Sequence, residues 1–227
     1  MNLAEVLEEL HRLGDPAAVK AKMRYAIYAK DSLGITHKQL DVLVKKIGQD
    51  DKLAIALFDS GLYEGRLLCG RLFTPQNLTD ELLGKWVVTF ENWEMCDTFC
   101  MKLIGRTKWA LPKAIEWSAQ EPEFVKRAGF VCMVMVAMAD KTAEDDTIRQ
   151  FFPMLLRDAN DGRQFVKKAI NWALRTIGKR NSVLHGEAMQ WAQKIHELGS
   201  SSAKWIATDA MRKLNVPSIK LRNLPKN

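Results

Sequence analysis

The sequence predicts an all-α fold, a solenoid of repeated helical units. Three observations predict it. Apolar residues recur at helical spacing along the whole 227-residue chain, and no alternating, strand-like segment interrupts them. Gly and Pro fall between the apolar runs, at Gly14, Pro16, Gly48, Pro75, Pro122, Gly178 and Gly199. The segment Phe124-Val125-Lys126-Arg127-Ala128 returns as Phe165-Val166-Lys167-Lys168-Ala169, an offset of 41, and a further step of 41 reaches Asp209-Ala210. Periods of about 40–47 residues made of helix pairs mark HEAT-like arrays, in which each pair buries its apolar side against its neighbours and a concave surface remains. The steps from Arg66 to Asp97 and from Asp97 to Arg127 are shorter, so the array is irregular. A plain helical bundle is the alternative.

The elements follow in order. Leu3, Val6, Leu7, Leu10 and Leu13 predict an amphipathic helix over 3–13. Pro16 suits the first turn of the next helix, expected over 16–30 with Met23, Tyr25 and Tyr28. Thr36-His37-Lys38-Gln39 has capping-box spacing and opens a helix ending at Gly48. Further helices are expected near 50–59, 62–73, 79–90, 92–104, 109–119, 122–139, 144–157, 161–178, 182–198 and 202–214. Residues 1–216 form one expected domain. Residues 217–227, basic and broken by Pro217 and Pro225, read as a tail.

Thirty-four Lys and Arg against 27 Asp and Glu give a net charge of +7, which suits a polyanionic partner such as nucleic acid. The longest apolar run, Ala128 to Ala139, is too short to span a bilayer, and the acidic start MNLAEVLEEL is not a signal peptide. The expected location is cytoplasmic. Cys69, Cys96, Cys100 and Cys132 lack metal-ligand spacing and nearby His, so they are expected to be reduced packing thiols.

The chain centres on WVVTFENWEMCD, Trp86 to Asp97. Trp93 and Asp97 are four residues apart and share one helix face. An acid beside a large π-face, in a basic chain, suits a cationic guest. The same spacing also suits an ordinary amphipathic helix with a buried Trp and a solvated Asp. If the second helix of each unit lines the concave face, Arg66, Asp97, Arg127 and Lys168 meet there. Trp172 and Arg175 follow on the Lys168 helix, then Lys179 and Arg180. The expected result is a basic groove with two indoles and one carboxylate. That carboxylate either serves a cation or bridges to Arg127.

Five segments resemble the AlkD family of bacterial DNA alkylation repair proteins over nearly the whole length: MRYAIYAKDSLGIT (23–36), SGLYEGRLLCGRL (60–72), FENWEMCD (90–97), FVKRAGF (124–130) and FVKKAINWALRTIGKRN (165–181). The resemblance implies a DNA glycosylase of base excision repair that releases positively charged N3- or N7-alkylated purines from duplex DNA. It implies Trp93, Asp97 and Trp172 at the reacting sugar, Arg127 and Tyr25 against DNA, and Arg175 on a phosphate. Lys168, Lys179 and Arg180 extend the basic surface. The stretch AKDS before LGI departs from members that carry aromatic residues there. No cofactor and no metal are implied, and the expected working form is a monomer. Some branches of the family bind DNA without excising bases, so a non-catalytic HEAT-like binder of distorted or damaged DNA is the alternative. A protein-binding scaffold is a third reading, which the basic residues disfavour.

Overall fold

The computed structural model describes residues 1–141, 143–216 and 218–222, and every regular element among them is helical. Pro217 and residues 223–227 of the expected tail lie outside the described residues. The chain forms two compact units, Met1–Thr107 and a second beginning at Lys108.

The first unit holds α1 (Leu3–Leu13), α2 (Pro16–Met23), α3 (His37–Ile47), α4 (Asp51–Asp59), α5 (Tyr63–Leu72), α6 (Asp80–Val87) and α7 (Trp93–Lys102). The capping box expected at Thr36 is present, with Thr36 and Gln39 each closing on the other's backbone N–H. Helix α5 packs between α3 and α7, with α4 across it. Trp86 of α6 is the centre of an aromatic core, 5.4 Å from Phe58, 5.3 Å from Phe73 and 5.5 Å from Phe99. Phe99 belongs to α7, so this buried cluster fixes the helix that carries Trp93 and Asp97.

The second unit holds α8 (Ala110–Ser118), α9 (Glu123–Ala139), α10 (Asp145–Arg149), α11 (Phe151–Asp158), α12 (Gln164–Ile177), α13 (Ser182–Glu197) and α14 (Ser201–Leu214). Helix α9 packs on α12, and α12 on α14, while α8, α11 and α13 pack against them as partners. The helices bearing Arg127, Lys168 and Asp209 are therefore successive members of one layer, as the offset of 41 predicts. Gly129, in the KRAGF motif, permits the close α8–α9 approach, since a Cβ there would stand 2.2 Å from the Ser118 nitrogen.

Two expected helices end differently. The second stops at Met23 rather than running to residue 30, because Ala26 takes φ +56°, outside the helical region. The helix expected over 144–157 splits at Gln150 into α10 and α11. Pro153 is the reason: it has no N–H to give to the Arg149 carbonyl four residues back, and its ring crowds that oxygen. No helix among the described residues is long and apolar enough to cross a membrane. The four cysteines are buried, and burial pushes the Cys69 thiol up.

Candidate functional site

The first unit carries Tyr25, Trp93 and Asp97. Asn92 caps α7, its side-chain oxygen accepting from the Met95 amide at 3.0 Å, so Trp93 is the first residue of the helix. Trp93 and Asp97 are both partly exposed, one turn apart. They border one hollow of about 170 Å³, which His37, Arg71, Glu94 and Lys102 also line. The Trp93 indole donates to the Tyr25 carbonyl at 2.8 Å. The left-handed turn at Ala26 follows that carbonyl directly. Tyr25 itself is 71% exposed, and it is its backbone carbonyl that accepts the indole hydrogen bond.

Sequence reasoning missed what lies beneath. Glu94 is buried beside Trp93, with His37 Nε2 at 2.9 Å, Lys22 Nζ at 3.1 Å and the Tyr63 hydroxyl at 2.7 Å. Burial alone would raise its pKa. His37, Lys22 and Tyr63 outweigh that cost and hold it down at about 2. Burial, reinforced by the Glu94 charge, pushes the Tyr63 hydroxyl up. Arg71 donates to His37 Nδ1, so that nitrogen keeps its lone pair and Nε2 carries the proton toward Glu94.

Glu64 is fully buried two helices earlier, on α5. Its carboxylate accepts from the Leu33, Gly34 and Ile35 amides at 2.9, 3.0 and 3.3 Å and from the Ser32 hydroxyl at 2.9 Å. This fixes the LGI turn. Gly34 has φ +82°, and a Cβ on it would stand 2.2 Å from the Asp15 oxygen. The available signal was an acid in the first turn of both α5 and α7.

The second unit carries the remaining candidates. Arg127 is buried on α9 and donates to the Phe165 carbonyl at 2.7 Å, joining the two copies of the repeated segment. Lys168 is exposed, and Trp172, Arg175 and Lys179 are partly exposed. Arg175 donates to the Asn171 side chain at 2.9 Å, and burial pulls its pKa down against the nearby Asp209. Arg180 corrects an expectation. Its side chain is fully buried and donates to the Ala137 and Asp140 carbonyls at 3.0 and 2.9 Å and to that of Ala143. It is a strut with Asp145 at 3.9 Å, and its guanidinium is turned into the fold and not presented at the surface.

A model of the DNA alkylation repair enzyme family matches residues 6–214. The chain belongs to that family. No curated protein sequence matches this DNA alkylation repair family member. A solved structure, described as a new family of proteins related to the HEAT-like repeat DNA glycosylases with affinity for branched DNA structures, matches with a TM-score of 0.77 at 19% identity, over 94% of this chain and 95% of that one. That likeness establishes the HEAT-like fold of this DNA alkylation repair family member.

Proposed function

We propose that this protein is a DNA glycosylase that releases cationic N3- and N7-alkylated purines from duplex DNA, acting as a cytoplasmic monomer. The observation that carries the reading is the Trp93–Asp97 pair. An indole and a carboxylate share one helix face and one hollow, above an acid that is already neutralised. Cleaving an N-glycosidic bond builds positive charge on the sugar. Asp97 near that sugar would stabilise the charge and orient a water. Trp93 would hold the cationic sugar or base through its π-face, a contact worth about 0.5–2 kcal/mol, and Trp172 offers a π-face of the same kind.

An alkylated purine already carries positive charge, so it leaves without a proton from the enzyme. A hollow of about 170 Å³ is below the roughly 300 Å³ at which pockets begin to enclose a drug-sized ligand. That favours recognition from the backbone side over capture of a flipped base. Within the second unit, Lys168, Arg175 and Lys179 would hold phosphates, and Arg127, buried against the Phe165 carbonyl, would hold the helices that carry them in place; Tyr25 would offer a DNA contact on the first unit.

A second reading has one specific support: the solved relative with this fold is described by its affinity for branched DNA. A binder of distorted DNA would release no base. Incubation with duplex DNA containing 7-methylguanine and 3-methyladenine, followed by detection of free base, separates the two readings. Free base supports the glycosylase, and bound but intact DNA supports the binder.

A further inference from the structure

The last helix contains a second Trp and Asp at the spacing of Trp93 and Asp97. Trp205-Ile206-Ala207-Thr208-Asp209 stands on α14 as Trp93-Glu94-Met95-Cys96-Asp97 stands on α7. Asp209 also lies one step of 41 beyond Lys168, on the next helix of the same layer. The acids differ. Asp209 has Arg212 at 2.9 Å and Lys213 at 3.0 Å on its own helix. Burial would raise its pKa, but these two and Arg175 hold it lowered. That charge is neutralised within the fold, which leaves the indole as the feature presented outward.

Trp205 is 39% exposed, unusual for the largest side chain when packing could bury it. Lys167 of α12 reaches its ring, with Nζ 5.4 Å from the centroid. Lys204, Trp205, Thr208, Asp209 and Arg212 line a hollow of about 400 Å³. All five stand on α14, so this is a shallow, open face suited to stacking and not an enclosing pocket. Cations surround an exposed aromatic face here, and the acid among them is already paired. Bases stack on such faces whatever their sequence, while Lys and Arg hold the phosphates on either side.

We infer that Trp205, with Lys167, Lys204 and Arg212, is a second nucleic-acid contact: a stacking platform for an unpaired nucleotide of a DNA strand. The inference rests on the DNA-binding part of the function proposed above and not on base excision. Nothing in the duplex interior is free to stack there, so the occupant is a single-stranded flank or an unstacked end.

The test titrates the full chain with single-stranded oligothymidylate and, separately, with a blunt duplex of equal length. The parent should bind oligothymidylate. Trp205→Ala should weaken that binding about tenfold, and Trp205→Phe should restore most of it, since one aromatic stack is worth about that factor. Lys204→Glu, at an exposed position, should weaken it as well, so a folding defect in the alanine variant would not hide the result. Blunt-duplex affinity and melting temperature should stay at parental values in Trp205→Phe and Trp205→Ala. A parent that ignores oligothymidylate, or variants that bind it as the parent does, would overturn the platform. Blunt-duplex binding by the parent tests the underlying reading separately: its loss alone removes duplex recognition and leaves the Trp205 result standing.

Discussion

The indole N–H of Trp93 donates to the backbone carbonyl of Tyr25 at 2.8 Å, across 68 residues of sequence. The bond exists because α2 ends at Met23 and Ala26 turns left-handed just after Tyr25. It fixes the plane of the indole that borders the Asp97 hollow. Trp93→Phe keeps the ring and removes the donor. Residues 24–30 should then exchange backbone hydrogens faster, while global stability falls by no more than about 1 kcal/mol, because the exposed carbonyl can turn to water. Unchanged exchange in that segment would show that the bond does not order it.

Glu64 should be among the costliest polar positions in the first unit. Glu64→Ala leaves the Leu33 and Ile35 amides without the carboxylate that accepts from them, and the Gly34 amide with only the Ser32 hydroxyl at 3.2 Å. Each unsatisfied buried donor costs roughly 1–3 kcal/mol, and partial rehydration should limit the total to about 3–5 kcal/mol. Denaturant unfolding measures it. A loss under about 1 kcal/mol would mean that the loop finds other partners.

Glu94 gives a pH signature. Its carboxyl sits at about 2 in the folded protein against 4.5 unperturbed. A depressed acid contributes stability that is complete above the unfolded value and lost as pH falls through the folded one. Stability should therefore drop between about pH 5 and pH 2, by on the order of 2 kcal/mol from this group. Glu94→Gln should be less stable at pH 7 and should lack that part of the slope. A variant with the parental slope would assign the acid sensitivity elsewhere.

The repeat and most helices were legible in the sequence because apolar spacing and cap residues are local signals. Thr36 with Gln39 announced α3, and the 41-residue offset announced the α9–α12–α14 layer. The left-handed turn at Ala26 was not legible, since Ala has no preference for positive φ. Glu64 and Glu94 stand in first turns, where helix N-termini favour an acid whether or not it is buried. Their burial is set by Lys22, His37 and Tyr63 and by residues 32–35, all distant in sequence. Arg180 sat in a basic cluster and read as a groove cation. The carbonyls it serves belong to residues 137–143, some 40 positions earlier, which no local pattern reveals.

Lys168 and Arg180 therefore should separate. Lys168→Ala should keep the melting temperature and flatten the log–log salt dependence of duplex binding by about 0.9, the share of one phosphate contact. Arg180→Ala should cost about 3–5 kcal/mol of stability, because Asp145 would stay buried without its cation. An Arg180→Ala protein of parental stability but weak DNA affinity would return Arg180 to the binding surface.

In the proposed reaction the Asp97 charge acts on the sugar during base release. Asp97→Asn keeps the shape and removes the charge. Single-turnover release of 7-methylguanine, measured with melting temperature and duplex affinity on the same preparation, is the direct test. Excision should fall by about 10²–10³, with duplex affinity held or improved and folding retained. An Asp97→Asn protein that releases 7-methylguanine as fast as the parent would contradict that role.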